Sequence, residues 1–256
     1  MKNILTPFQE TKSITKNSMF IGWVLFIIIC WFISSMGDTN LFPTPIQVLH
    51  GFSDLWKGGL VVHLFSSLSL CATAVFYSVI ISMIVSYIST IPIGKTWGTF
   101  ISKLRFLPLT GISFYITIFI DDARQIQIWV LVMFMSTYLI TSLMQMINDI
   151  PEEEINHART LGCNRWEILW EVVIKGRFDY VIELVRQNLA IVWMMLVSIE
   201  SILIASGGLG VLIKNGDRLG TNGRVIAVQI LIIIVGIFLD FTLVKIRKLI
   251  FRYSNF

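Results

Sequence analysis

Charged residues divide this chain into long apolar runs. Lys16 to Asp38 encloses 21 uncharged residues, Lys57 to Lys95 encloses 37, Arg105 to Asp121 encloses 15 and Arg124 to Asp149 encloses 24. Two further runs extend from Gln187 to Lys214, interrupted only by Glu200, and from Val225 to Leu239. A helix needs roughly 20 residues to cross about 30 Å of hydrocarbon. The pattern therefore predicts spans near 18–36, 62–87, 105–121, 126–147, 184–206 and 225–244. The third is short and carries Pro108 and Gly111, which a span tolerates where neighbouring helices re-satisfy the backbone. The expected fold is all-α, with six transmembrane helices and five as the fallback count. A transmembrane domain over 18–245 is flanked by short segments at 1–17 and 246–256.

Composition agrees with this reading. Hydrophobic residues make up 55% of the 256, charged residues 14%, and mean hydropathy is +0.77. Soluble domains carry about 25% charged residues, so a soluble enzyme or a nucleic-acid-binding domain is excluded. The net charge of +4 matters less than where Lys and Arg fall. With six spans, fifteen lie on the side of both termini and of the loops 88–104 and 148–183, against five on the other. That asymmetry predicts cytoplasmic termini. No small-x-small cleavage pattern follows the first apolar run, so it reads as a span rather than a leader. Cys30, Cys71 and Cys163 have no metal-ligand spacing and read as reduced thiols.

The longest polar stretch is 148–183. Asn148 or Asp149 is placed to cap a helix with Pro151 in its first turn and Glu152, Glu153 and Glu154 behind it, as a helix N-terminus favours. Ile155, Ala158 and Leu161 share one face. Gly162 interrupts, and Trp166, Leu169, Trp170 and Val173 resume helical spacing. The prediction is two short amphipathic helices hinged at Gly162, outside the hydrocarbon. They form either a plain connector or a rigid docking knob for a soluble partner.

The 205–224 stretch is polar and glycine-rich, with Gly207, Gly208 and Gly210 forming an expected outer-loop turn. Gly94-Lys95 lacks a glycine five residues upstream, so there is no Walker A motif and no ATP hydrolysis by this chain alone. No catalytic residue, metal site or bound cofactor is expected. Glu200 within the fifth run carries either a structural role or a contact with substrate or gate. Ser66 and Ser69 are the other candidates for the pathway. His63, with its serine neighbours, reads as helix–helix hydrogen bonding, Asp240 as an interface residue, and Asp121 and Asp122 as outer-loop charges.

The stretch Ala158-Arg159-Thr160-Leu161-Gly162-Cys163-Asn164-Arg165-Trp166 resembles the cytoplasmic loop of ABC-importer permeases of the type I fold, in the nitrate/sulfonate/taurine/bicarbonate branch. Other pieces keep that branch's order: Leu41-Phe42-Pro43-Thr44-Pro45 with Val48, His63-Leu64 with Ser67-Leu68, Val172-Val173-Ile174, Ser198-Ile199-Glu200 and Gly207-Gly208-Leu209-Gly210. Asn156-His157 stands where the general pattern has Glu-Ala, Lys175 where many relatives have proline, and Phe119-Ile120-Asp121-Asp122 where a glycine-containing turn ends the third span.

The resemblance implies a non-catalytic permease subunit of a bacterial inner-membrane importer for a small solute, such as a sulfonate, taurine or nitrate. Its implied partners are a second, usually identical permease subunit, two ABC ATPase subunits that carry the ATP and Mg, and an extracytoplasmic solute-binding protein. Ala158, Leu161, Gly162 and Trp166 would then form the coupling contact, with Arg159 and Arg165 as ionic contacts to the ATPase. An ion-gradient-driven secondary transporter and a non-transporting scaffold are the competing readings. Neither the paired ion site nor the inverted halves of the former are visible.

Overall fold

A computed structural model describes residues 13–35 and 43–251, which form helices and connecting turns. The first 12 residues, Leu41 and Phe42 of the proline motif, and 252–256 of the expected tail lie outside the described residues. In chain order the helices are α1 (Ser13–Ser35), α2 (Pro45–Lys57), α3 (Leu60–Ile88), α4 (Pro92–Lys103), α5 (Leu109–Thr117) and α6 (Ala123–Asn148). There follow α7 (Glu152–Thr160), α8 (Arg165–Ile168), which continues through a wide turn at Leu169–Lys175, α9 (Phe178–Ile202), α10 (Leu209–Arg218) and α11 (Asn222–Ile250).

The six-span expectation is corrected. Four helices among the described residues, α3, α6, α9 and α11, are long and apolar enough to cross a membrane. In α1 the apolar part is the shorter stretch Ile21–Ser35. The run at 105–121 is not one helix. Its first residues belong to a 3-10 turn, Leu104–Phe106, and α5 has only 9 residues, about 14 Å of rise. Pro108 is the physical cause. A residue before proline is driven out of the helical region, and Leu107 and Pro108 are both extended, with ψ of 131° and 147°.

Helix direction explains how the chain uses these pieces. Arg124 of α6 bonds to Ser66 of α3, the Ser78 hydroxyl donates to the Val132 carbonyl and the Ser82 hydroxyl to the Ser136 carbonyl. Both numbers rise together, so α3 and α6 are parallel. The chain must return across the bundle between them, and it does so beyond α4, in fragments through the 3-10 turn and α5. Small residues let the parallel pair approach closely. The buried stripe of α3 is Ser67, Leu70, Cys71, Ala74, Ser78, Ser82 and Ser86.

α9 runs antiparallel to both. Its Glu200 meets Ser67 near the start of α3, and the Leu203 carbonyl beyond its end accepts from Gln127 near the start of α6. α11 is antiparallel to α9, with Trp193 donating to the Ile232 carbonyl at 3.0 Å and Arg186 paired with Asp240 at 2.6 Å. The bundle thus has two ends. One carries α2, α10 and the starts of α3, α6 and α11; the other carries α4, α7 and α8. At the α2 end, helices α2 and α11 touch through glycines. A Cβ on Gly51 would stand 2.8 Å from the Gly223 carbonyl oxygen, and Asp54 pairs with Arg224 at 2.9 Å beside this contact.

Candidate functional sites at the two ends of the bundle

At the α7 end the polar loop folds as a braced elbow. Helix α7 starts at Glu152 with Pro151 in the capping position and no side-chain cap. Neither Asn148 nor Asp149 caps it as expected, because Asn148 closes α6 and Asp149 follows as that helix's own C-cap. Gly162 then adopts φ +86°. Its N–H donates to the Arg159 carbonyl and the Cys163 N–H donates to the Ala158 carbonyl, the bond pair of a Schellman motif. One residue later a capping box begins. The Asn164 side chain accepts from the Trp166 and Glu167 N–H groups, and Glu167 accepts from the Asn164 N–H at 2.7 Å. Two rigid motifs that follow one another without an intervening residue fix the angle between α7 and α8. Arg177 grips Glu154 through both carboxylate oxygens, each at 2.7 Å, strapping the start of α7 to the start of α9.

The expected contact residues fall into two groups. Ala158 is buried and anchors the elbow, whereas Leu161 and Trp166 are 72% and 68% exposed. Trp170, one turn beyond Trp166, is also exposed. Arg159 is exposed and donates to Asn156, and Arg165 is exposed in the first turn of α8. Large apolar side chains projecting from a polar loop on a braced frame form a surface suited to a protein partner.

Beside the elbow, a cleft of about 970 Å³ opens between α6, α9 and α11. Ion pairs line it. Glu183 accepts from Arg186 on its own helix and from Arg247 of α11 at 2.8 Å. Together with Arg186–Asp240 these contacts join α9 to α11. Asp240, read from sequence as an interface residue, is here an ion-pair partner between two helices.

At the α2 end the glycine-rich turn is latched to two helices. Glu200 is fully buried. One of its carboxylate oxygens accepts from the Ser67 hydroxyl at 2.7 Å and the other from the Gly210 N–H at 2.9 Å. The same Ser67 oxygen accepts from the Leu209 N–H at 2.9 Å, and His63 Nδ1 accepts from the Gly208 N–H at 3.1 Å. Successive N–H groups of the turn thus meet acceptors supplied by α3 and α9. Glycine is required because Gly207 and Gly208 have φ of +77° and +119°, and a Cβ on Gly208 would collide with the Glu200 carboxylate. A Cβ on Gly210 would collide with the Val197 carbonyl oxygen.

Of the three pathway candidates, Glu200 has both oxygens committed to this latch. Ser66 receives Arg124, whose guanidinium also donates to the Ser66 carbonyl at 2.7 Å. Ser69 is exposed. The structure does not bring the three together; the neighbour of Glu200 is Ser67. Asp122, read as a loop charge, caps α6 through the Arg124 and Gln125 N–H groups. At this same end the Arg224 hydrogen bond holds the Asp54 carboxyl below its ordinary pKa, against a smaller opposing effect of desolvation. Among the described residues no group of three or more His, Cys, Asp or Glu is placed to hold a metal ion.

Comparison with known proteins supplies a context for this geometry. No protein-family model matches the chain. It is 26% identical over 220 residues to the taurine transport system permease protein TauC of Escherichia coli, covering 75% of this chain and 73% of that protein. Over 94 residues it is 33% identical to a putative ABC transporter permease protein of Methanocaldococcus jannaschii, covering 37% of this chain and 35% of that one. Its structure superposes on a chain of the MetNI methionine ABC transporter, solved in inward facing conformations, with a TM-score of 0.63 at 17% identity. The superposition covers 74% of this chain and 94% of that one. The protein is a multi-pass membrane protein with the fold of an ABC-importer permease.

Proposed function

We propose that this chain is the membrane subunit of an ATP-driven importer for a small solute, with residues 152–175 as the handle gripped by a separate ATPase. The observation that carries this reading is the braced elbow. Leu161, Trp166 and Trp170 project from it, and its two ends continue directly into α6 and α9, which are long enough to cross the bilayer. A partner that moves the elbow moves both helices, because the Schellman motif, the capping box and the Glu154–Arg177 strap leave little freedom at the joint.

In this reading the α7 end faces the cytoplasm. Lys95, Arg159, Arg165, Lys175, Arg177, Arg186, Lys245, Arg247 and Lys248 are nearer that end, against Lys57, Arg124, Lys214, Arg218 and Arg224 at the other. Positive charge is retained on the cytoplasmic side. Two permease copies would line one pathway, each bound to an ATPase subunit that holds ATP and Mg, and a solute-binding protein would deliver cargo at the α2 end. The latch around Glu200 then serves as a rigid outer rim rather than a substrate contact. The similarity to a taurine permease, together with the ordered sequence motifs, supports a small sulfonate, taurine or another anion as cargo.

Reconstitution tests this function. Proteoliposomes holding the chain, its neighbouring ATPase and its binding protein are expected to take up labelled taurine or another small anion only with internal ATP. Uptake by the chain alone under an ion gradient would instead favour a secondary transporter. The binding protein's thermal stabilisation by candidate anions names the cargo.

A further inference from the structure

Helix α4 carries a surface that the importer reading leaves unused. Its glycine side is pressed against the bundle. A Cβ on Gly98 would stand 2.9 Å from the Ser89 side chain and 3.1 Å from Met144 Sδ, so α4 sits at the α7 end, beside the last turns of α3 and α6. Away from the glycines, Ile93, Trp97 and Phe100 are 78%, 66% and 58% exposed. Their spacing of four and three residues puts them in one stripe. Opposite the stripe lie Lys95, Thr99 and Ser102, with Lys103 at the boundary; Lys95 and Lys103 are exposed and have no carboxylate partner among the described residues. Arg105, just beyond the helix, rests over the Phe106 ring at 5.2 Å and likewise has no carboxylate partner there.

We propose that α4 is an interfacial helix: Ile93, Trp97 and Phe100 enter the acyl boundary of the bilayer, and Lys95, Lys103 and Arg105 hold the headgroups of anionic phospholipids. Three observations select lipid as the occupant. The stripe adjoins, through the last turn of α3, a helix that itself exposes apolar side chains suited to hydrocarbon, Phe76, Ile80 and Ile84. A tryptophan flanked by lysines is the composition of a membrane–water interface. The three cations meet no carboxylate among the described residues, and a leaflet rich in anionic lipid attracts such cations. Helix α2 at the opposite end provides an internal contrast. It also exposes Ile46, Leu49 and Trp56, but its Arg224 neighbour is neutralised by Asp54 and it offers only Lys57. Selectivity for anionic lipid therefore belongs to the α7 end.

The test uses the full chain in nanodiscs of phosphatidylcholine with phosphatidylglycerol, followed by transfer to detergent and native mass spectrometry of retained lipid. Phosphatidylglycerol is expected to be enriched on the wild-type chain. The enrichment should fall about 5-fold in K95Q/K103Q/R105Q and persist in K95R/K103R/R105K. Equal retention of the two lipids by the wild type, or unchanged enrichment in the glutamine variant, overturns the proposal. A second measurement keeps all three cations. In a chain with Cys30→Ala, Cys71→Ala and Cys163→Ala, a nitroxide on Trp97→Cys should be relaxed by oxygen and shielded from a water-soluble nickel chelate. A label reached by the chelate, or shielded from both reagents as a covering protein copy would shield it, rules the helix out as a lipid contact. Neither readout depends on transport, so the outcome is separate from that of the importer reading.

Discussion

The Ser67 hydroxyl donates to Glu200 at 2.7 Å, joining residues 133 apart in sequence, and accepts the Leu209 N–H with the same oxygen. One hydroxyl therefore ties α3 to α9 and to the glycine turn that follows α9. Ser67→Ala removes the donor to a buried carboxylate and the acceptor for a buried N–H. The expected loss is about 2 kcal/mol of stability, with Glu200→Ala costing about 3 kcal/mol and the double variant less than the sum. A double-mutant cycle by thermal unfolding in detergent measures it. Additive losses would show that the two residues do not act as one latch.

Gly207 and Gly208 should respond differently to alanine. Both have positive φ, but a Cβ on Gly207 meets only the His63 ring at 3.7 Å, whereas one on Gly208 strikes the Glu200 carboxylate. Gly207 has ψ −173°, outside the left-handed helical region, and Gly207→Ala is expected to cost about 1–3 kcal/mol, the backbone penalty alone. Gly208→Ala should cost at least about 2 kcal/mol more, through displacement of the buried carboxylate. Equal melting temperatures for the two variants would contradict the geometry.

The elbow offers a comparison of the same kind. Gly162 has φ +86°, and a Cβ there would meet no atom within 4 Å. Gly162→Ala should therefore cost only about 1–2 kcal/mol and leave membrane insertion intact. Asn164→Ala loses the capping box and should cost about 1 kcal/mol. Both variants loosen the joint, and each is expected to raise ATP hydrolysis per solute taken up in the reconstituted importer. A bulkier replacement at Gly162 should uncouple the two further. Unaltered coupling in both would return the elbow to the status of a connector.

Acid should weaken the α2 end. The Asp54 carboxyl is held below its ordinary value by Arg224, so the folded chain binds its proton less readily than the unfolded chain does. Its contribution is fully present above about pH 4 and is lost as pH falls through the folded-state value. In unfolding scans Asp54→Asn should flatten the part of the stability profile below about pH 4 and leave the neutral region with a small, pH-independent change. A profile identical to wild type would remove this pair from the account.

Much of the architecture is legible in the apolar runs, because a residue in hydrocarbon reports its setting by type alone. The runs at 62–87, 126–147, 184–206 and 225–244 lie close to α3, α6, α9 and α11. The run at 105–121 misleads because hydropathy does not register the backbone restriction that Pro108 imposes on Leu107. The kink at Gly162 is readable from sequence, and so is the Asn164-x-x-Glu167 spacing of a capping box, a signal that the hydrophobic pattern alone does not carry. The latch is half legible. A carboxylate in an apolar run marks Glu200, but its choice of Ser67 over Ser66 depends on which face of α3 the parallel packing with α6 turns inward.

The most direct measurement concerns Leu161 and Trp166, whose side chains are exposed on the elbow. Purified through a tag on this chain, the complex is expected to contain an ATPase subunit. L161D/W166D should lose that subunit while keeping the wild-type melting temperature and membrane insertion. Retention of the ATPase by a folded L161D/W166D chain, or labelling of residues 152–175 from outside the cell, would contradict the account.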